Sequence, residues 1–319
     1  MPVSPSPSQA VSRPDLGATL VEFDVLANQA GYIGLQILPV FDVQEQSANI
    51  GRIPIEQLLQ TQDTNRASGG GYRRGNFKFE DFSYATKEHG WEEPVDDRNM
   101  RIYRRYFDAE VVAARRARNF VVQNHEIRCC AAAQSTALHT NAAAAFVWSN
   151  KASATPVADV TARNLAVRSA CGLTPNVVVM DYEAFVRCVQ TDEVIDQLKY
   201  AGYDDPKDVG EAALAKLFKV RKVIVAGSLK NTAAEGSLTL GSVWDKAKVA
   251  VGRIAETNDV AEPCFGRTFH WSADGSSIGG TIETYREESK RSDIVRVRME
   301  TDEKEMYPEC WQLITGVLA

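Results

Sequence analysis

Glu88-His89-Gly90-Trp91-Glu92-Glu93-Pro94-Val95-Asp96-Asp97-Arg98 is the stretch on which the reading of this chain turns. Its two closing aspartates suit a helix N-terminus. A short carboxylate accepts backbone N–H groups that the first turn leaves unpaired, and it meets the positive end of the macrodipole. Downstream, apolar side chains recur at Tyr103, Tyr106, Phe107, Val111, Ala114, Ala117, Phe120 and Val121. Steps of three and four put them on one stripe, so a single long helix is predicted from Arg98 to about Ser135. Arg101, Arg104, Arg105, Arg115, Arg116 and Arg118 fall mostly off that stripe and read as a solvated or ion-paired face.

Upstream, Leu38 to Tyr84 turns strand-like, with Ile50, Ile53 and Ile55 before a break and Phe77 and Phe79 after it. The break, Ala67-Ser68-Gly69-Gly70-Gly71-Tyr72-Arg73-Arg74-Gly75-Asn76, is rich in a residue that tolerates positive φ. The spacing predicts the tip of a long hairpin. A phosphate cradle is the other use of such a loop, but no Lys-Ser or Lys-Thr pair follows and no amphipathic helix starts behind it.

Beyond the helix, residues 150–255 alternate strand and helix. Asn176 to Met180 reads as a buried strand, Asp181 as the cap of a helix through Val189, and Val223 to Val225 as a second apolar strand. Lys248 to Ile254 suits a third strand. After Pro263 the chain is strand-rich: Phe265 to Trp271, Ile278 to Arg286 and Ile294 to Glu300, the last two joined as a hairpin through Ser289 to Asp293. Residues Met1 to Pro14 hold four prolines and four serines, the composition of an extended arm that is ordered only when something packs on it.

The chain has 319 residues, 44% apolar and 24% charged, enough to bury roughly 75% of its unfolded surface without disulfides or metal. A formal charge of −6 argues against phosphate contacts as the main source of affinity, though not against a protein that encloses nucleic acid. Neither a secretory leader nor an apolar run of membrane-spanning length is read, so cytoplasmic synthesis is expected. Cys129, Cys130, Cys171, Cys188, Cys264 and Cys310 form no CxxC pair and read as buried free thiols.

The sequence carries no motif for catalysis, cofactor binding or metal binding. His89, His125, His139 and His270 sit in no zinc motif. His125, four residues before Cys129, is the nearest approach to a metal pair, and two ligands do not make a site. There is no GxSxG elbow, and no GxGxxG follows either apolar strand. Adjacent carboxylates at Glu92-Glu93 and Asp204-Asp205 read as solvated. No catalytic, cofactor or metal residue is assigned.

Thr86 to Asn99 resembles the stretch that links the extended loop to the spine helix in the major capsid proteins of tailed bacteriophages. There an acidic residue, an aromatic and Gly precede further acidic residues and a V-D-D-R-like start. Gly172 to Met180, Tyr182 to Phe185 and Val194 to Tyr200 are similar to that family's next strand and helices. Leu214 to Lys230 resembles the following helix and strand, Phe265 to Phe269 and Tyr285 to Glu287 the return strands, and Leu313 to Thr315 the closing strand. The order is kept from about Val40 to Leu318.

The resemblance implies an α+β chain of the Hong Kong phage-type capsid fold. It places an N-terminal arm at 1–39, an extended β-hairpin loop at 44–97, a peripheral domain at 98–149 and 263–319, and an axial domain at 150–262. It implies a structural head subunit, not an enzyme, without cofactors, that builds hexamers and pentamers of itself in the host cytoplasm and ends in the virion. The implied partners are a separate scaffolding protein, since no large N-terminal scaffolding segment is seen, then a portal, a decoration protein, and double-stranded DNA held without sequence specificity. No membrane partner is implied. Gly69, Gly70, Gly71, Tyr72, Arg73 and Arg74 at the hairpin tip are the candidate contact with a neighbouring subunit. Some members crosslink an extended-loop lysine to an asparagine, and neither Lys78 nor Lys87 matches that position. Two other readings stay open: the shell of a cellular nanocompartment of the same fold, and an α/β enzyme resting only on Val177 to Met180 and Val223 to Val225.

Overall fold

The computed structural model describes residues 11–12, 31–52, 54–76, 78, 80–103, 108–200, 210–234, 237, 239–260 and 262–318. Most of the expected arm therefore lies outside the described residues, as do Ile53, Phe77, Phe79, Tyr106, Phe107 and Asp204-Asp205.

The first described elements are strand Val11–Ser12 (β1), the helical turn Gly34–Ile37 (α1) and strand Val40–Val43 (β2). Strands Ser47–Arg52 (β3) and Glu80–Ala85 (β4) enclose a second helical turn, Ile55–Leu58 (α2). Ile55 is thus helical where a strand is expected. Pro54 has no N–H for a ladder, and it ends the strand as the residue before α2. Strand Lys87–Asp96 (β5) runs straight into helix Asp97–Tyr103 (α3). Asp96 accepts the N–H groups of Arg98 at 2.8 Å and Asn99 at 3.3 Å, which is the expected cap.

The predicted single spine is two helices. Asp108 is extended and accepts the Glu110 N–H at 3.0 Å, so it opens a new helix, Ala109–Ala133 (α4), instead of continuing α3. The stripe is otherwise as expected, with Ala114, Ala117 and Val121 buried and Val111 and Phe120 half-buried. Among the described arginines of this run, Arg118 is the exception. It is buried, and burial lowers its guanidinium to about 10.

Then come Thr140–Ala143 (β6), Pro156–Cys171 (α5), Val177–Asp181 (β7), Tyr182–Val189 (α6), Asp192–Tyr200 (α7) and Glu211–Leu217 (α8). Asp181 caps α6 by accepting the Glu183 N–H at 2.9 Å. Strands Lys222–Ala226 (β8), Leu229–Asn231 (β9), Leu240–Ser242 (β10) and Lys248–Gly252 (β11) complete this half. Gly266–Trp271 (β12), Thr281–Glu287 (β13), Ser292–Glu305 (β14) and Trp311–Thr315 (β15) close the chain.

Two main sheets result. One has the order β1-β13-β14-β12-β2, with β5 also paired to β14 from Asp96↔Ser292 to Lys87↔Thr301. The other runs β6-β15-β11-β7-β8. Along β7 the side chains alternate between two cores: Val178 and Met180 face one, Val177 and Val179 the other. Helix α4 bridges the sheets. Its first half packs Ala113, Ala114, Ala117 and Val121 on Val95, Val295 and Val297, while Cys129, Cys130 and Ala133 pack beside Trp244, Phe265 and Trp311. The strands on which the α/β enzyme reading rests, β7 and β8, are parallel neighbours in this mixed sheet. All six cysteines are buried free thiols.

Candidate assembly surface

The two arms of the long hairpin pair from Ser47↔Ala85 to Arg52↔Glu80, as a two-stranded ribbon outside both main sheets. Its root is fixed. Phe82 and Tyr84 pack with Val43, Phe269 and Met306, and the Tyr84 ring stacks on Phe269 at 4.8 Å and 5°. Arg52 donates to the Met306 carbonyl and lies over the Tyr307 ring, while the Thr86 hydroxyl and the Gln46 amide both reach Glu300 at 2.9 Å. Ile55 rests against Val167, Cys171 and Cys310. The strand that continues from the hairpin, β5, already belongs to the sheet through β14.

Beyond this root the described residues of the hairpin lie largely open. Residues 59–69 and 71–76 are all exposed. The chain reverses at Gly69, whose φ of +81° is a left-handed value that favours glycine, and the Gly70 N–H closes the turn on the Ala67 carbonyl at 3.0 Å. Arg66 braces the tip, donating to the Gly70 carbonyl at 2.6 Å and covering the Tyr72 ring at 4.7 Å. Tyr72 is 76% exposed. Arg73 pairs with Asp63 of the same loop at 3.0 Å. The Arg73–Asp63 pair is exposed on both sides, so it holds Arg73 by only about 0–1 kcal/mol. A partner with better geometry can take it over.

The rest of the surface is divided between paired charge and scattered apolar side chains. Arg286 grips Asp97 through two bonds of 2.6 and 2.8 Å, and that guanidinium holds the Asp97 carboxyl below the usual carboxylate range. Arg296 and Arg298 both reach Glu283. Exposed Trp91, Ile102, Phe146, Leu165, Leu229 and Leu240 are distributed over both halves.

Inside, buried charge ties the elements that carry the hairpin. Glu126 accepts the N–H groups of Ile33 at 2.8 Å and Gly34 at 2.7 Å and the Trp244 indole N–H at 2.7 Å. Burial nonetheless pushes its carboxyl up, against those three donors. Glu303, half-buried, is pushed up by burial but brought below the ordinary range chiefly by its hydrogen bond from Arg128. His125 lies 3.6 Å from the Cys129 sulfur and 3.4 Å from Glu303, and burial lowers it to about 4, so it is neutral at neutral pH. Among the described residues no group of three or more His, Cys, Asp or Glu side chains is placed to hold a metal ion, and no helix is long and apolar enough to cross a membrane.

No family model matches the chain, and no curated protein matches it. Solved structures do. A phage-related protein from Bordetella bronchiseptica RB50 is 20% identical, with 97% of this chain and 99% of that one covered and a TM-score of 0.68. The capsid of cyanophage P-SCSP1u is 10% identical over 88% of this chain and 86% of that one, with a TM-score of 0.55. The SrpI encapsulin of Synechococcus elongatus PCC 7942 is 9% identical over 89% and 86%, with a TM-score of 0.51. The fold is the one that phage capsid proteins share with encapsulin shells.

Proposed function

We propose that this chain is the major capsid subunit of a tailed bacteriophage, which assembles with copies of itself into an icosahedral shell around double-stranded DNA. The observation that carries the reading is the hairpin: a ribbon anchored at a packed root, with residues 59–69 and 71–76 exposed in the single chain. A two-stranded ribbon without its own core is marginal alone, and an uncovered edge invites pairing, so its cover is a neighbouring subunit. The capsid fold supports the same conclusion. On this reading the role is structural and not enzymatic, residues 1–39 form the arm, 44–97 the extended loop, 98–149 and 263–319 the peripheral domain and 150–262 the axial domain. The tip residues Gly69 to Arg74 meet acidic groups of the neighbour. Hexamers and pentamers form in the host cytoplasm with a scaffolding protein, a portal and a decoration protein, and the product is the virion.

An encapsulin-type compartment is the second reading, favoured by the 89% of the chain that aligns with the encapsulin. Electron microscopy of the expressed protein, with the scaffolding protein where it is needed, tests both. Closed particles are expected. A species of only 35.1 kDa by sedimentation at all concentrations would overturn the shell, and particles that carry a protein cargo in place of DNA would decide for the compartment.

A further inference from the structure

Strand β2 lies parallel to β12 with Asp42 opposite His270. Partnered positions share one face of a sheet, and Asp42 Oδ1 lies 2.7 Å from His270 Nδ1. On the other side of the ring, His270 Nε2 lies 3.2 Å from the Ser276 hydroxyl oxygen. A carboxylate that accepts from Nδ1–H fixes the tautomer in which Nε2 is the free acceptor. The serine proton then has three acceptors in reach, Nε2, the Trp271 carbonyl at 3.0 Å and the Asp274 carboxylate, and rotation about Cβ–Oγ selects among them.

The turn that carries Ser276 is held firmly. Gly275 takes a φ of +79°, and the Ser276 N–H donates to Asp274 at 2.7 Å. His270 and Ser276 are 3% and 6% exposed, whereas Gly275 and Ser277 on either side of the serine are exposed. A nucleophile bonded to a base, and a base bonded to an orienting carboxylate, are the parts that activate a serine for acyl transfer.

We propose that Ser276 is an activated nucleophile that accepts small activated acyl or phosphonyl esters, with His270 as its general base and Asp42 as the positioning residue. With an alkyl fluorophosphonate, the Oγ–P bond forms as P–F breaks, fluoride leaves with the bonding pair, and the hydroxyl proton passes to His270 Nε2 and then to water. This does not depend on whether the chain builds shells.

The intact protein, treated with an alkyl fluorophosphonate and digested with trypsin, tests it. Cleavage after Arg267 and Arg286 leaves Ser272, Ser276 and Ser277 on one peptide, so two neighbouring serines are internal controls. The expected result is an adduct on Ser276 that is absent in Ser276→Ala and forms at least about tenfold more slowly in His270→Gln. Asp42→Asn alters a side chain that is 62% exposed, so it keeps the fold and should also slow labelling. Labelling of Ser276 no greater than that of Ser272 and Ser277 would overturn the proposal, as would an unchanged rate in either relay variant; both would leave a purely structural hydrogen-bond relay.

Discussion

Trp244 donates its indole N–H to Glu126 at 2.7 Å, and so fastens the loop after β10 to the middle of helix α4. The same carboxylate holds the Ile33 and Gly34 N–H groups at the start of α1. Glu126→Ala leaves three buried donors without their acceptor, and each unpaired donor costs about 1–3 kcal/mol. A loss of about 3 kcal/mol or more is expected for Glu126→Ala, against about 1 kcal/mol for Trp244→Phe, which removes one donor and leaves the carboxylate two others. Urea unfolding of the subunit measures both. Equal midpoints for wild type and Glu126→Ala would show that the clamp contributes nothing.

Burial keeps His125 neutral, with its pKa lowered from 6.5 to about 4. Between those values the unfolded chain binds a proton that the folded chain does not, so stability rises with pH and is lost as pH falls from about 6.5 towards 4. At pH 5 the loss is about 2 kcal/mol, from 1.5 pH units at about 1.4 kcal/mol each. His89, lowered chiefly by its own burial, acts with the same sign. Urea midpoints at pH 7 and pH 5 should differ clearly in wild type and much less in His125→Gln. A pH-independent midpoint in wild type contradicts the assignment.

At the hairpin tip, Arg74 gives the cleaner test because Arg73 already has Asp63 within its own loop. Arg74→Glu should leave circular dichroism unchanged while lowering the yield of particles. Arg73→Glu should do the same and also loosen the tip, since a like charge then faces Asp63. Added salt should weaken wild-type assembly in the same direction. Wild-type yield from the Arg73→Glu, Arg74→Glu double variant would mean that the tip is only a solvated turn.

Particles should be noncovalent. Lys78 is exposed, with its N–H bonded to Gln57, whereas Lys87 is the first residue of β5 and pairs with Thr301 in the sheet. Boiling in detergent and reductant should give one monomer band, and a ladder of multimers would refute this.

Much of this architecture is written in local patterns. Asp96 and Asp181 cap the helices that their positions announce, and the hairpin through Ser289 to Asp293 pairs from Thr281↔Arg298 to Glu287↔Ser292. The apolar stripe of α4 is legible because burial on one face repeats with the helical period. The helix start at Asp108 is not, since the apolar spacing of the sequence runs through this position and only the cap geometry marks it. Nor is Glu126, whose burial depends on donors more than ninety residues away in either direction. Asp42 and His270 are 228 residues apart, and only the parallel pairing of β2 with β12 brings them together. Contacts that a sheet creates over such separations leave no trace in spacing.

Strand β15 lies inside its sheet, with β11 on one side and β6 on the other, although it follows both of them in the chain. Its Trp311 also supplies an N–H to the Ala133 carbonyl at the end of α4. A chain whose translation stops before residue 311 therefore keeps two open strand edges and an uncapped helix, and has no finished subunit to offer. On the proposed shell reading, copy number then works in favour of fidelity: prematurely terminated products exclude themselves before they can be built in.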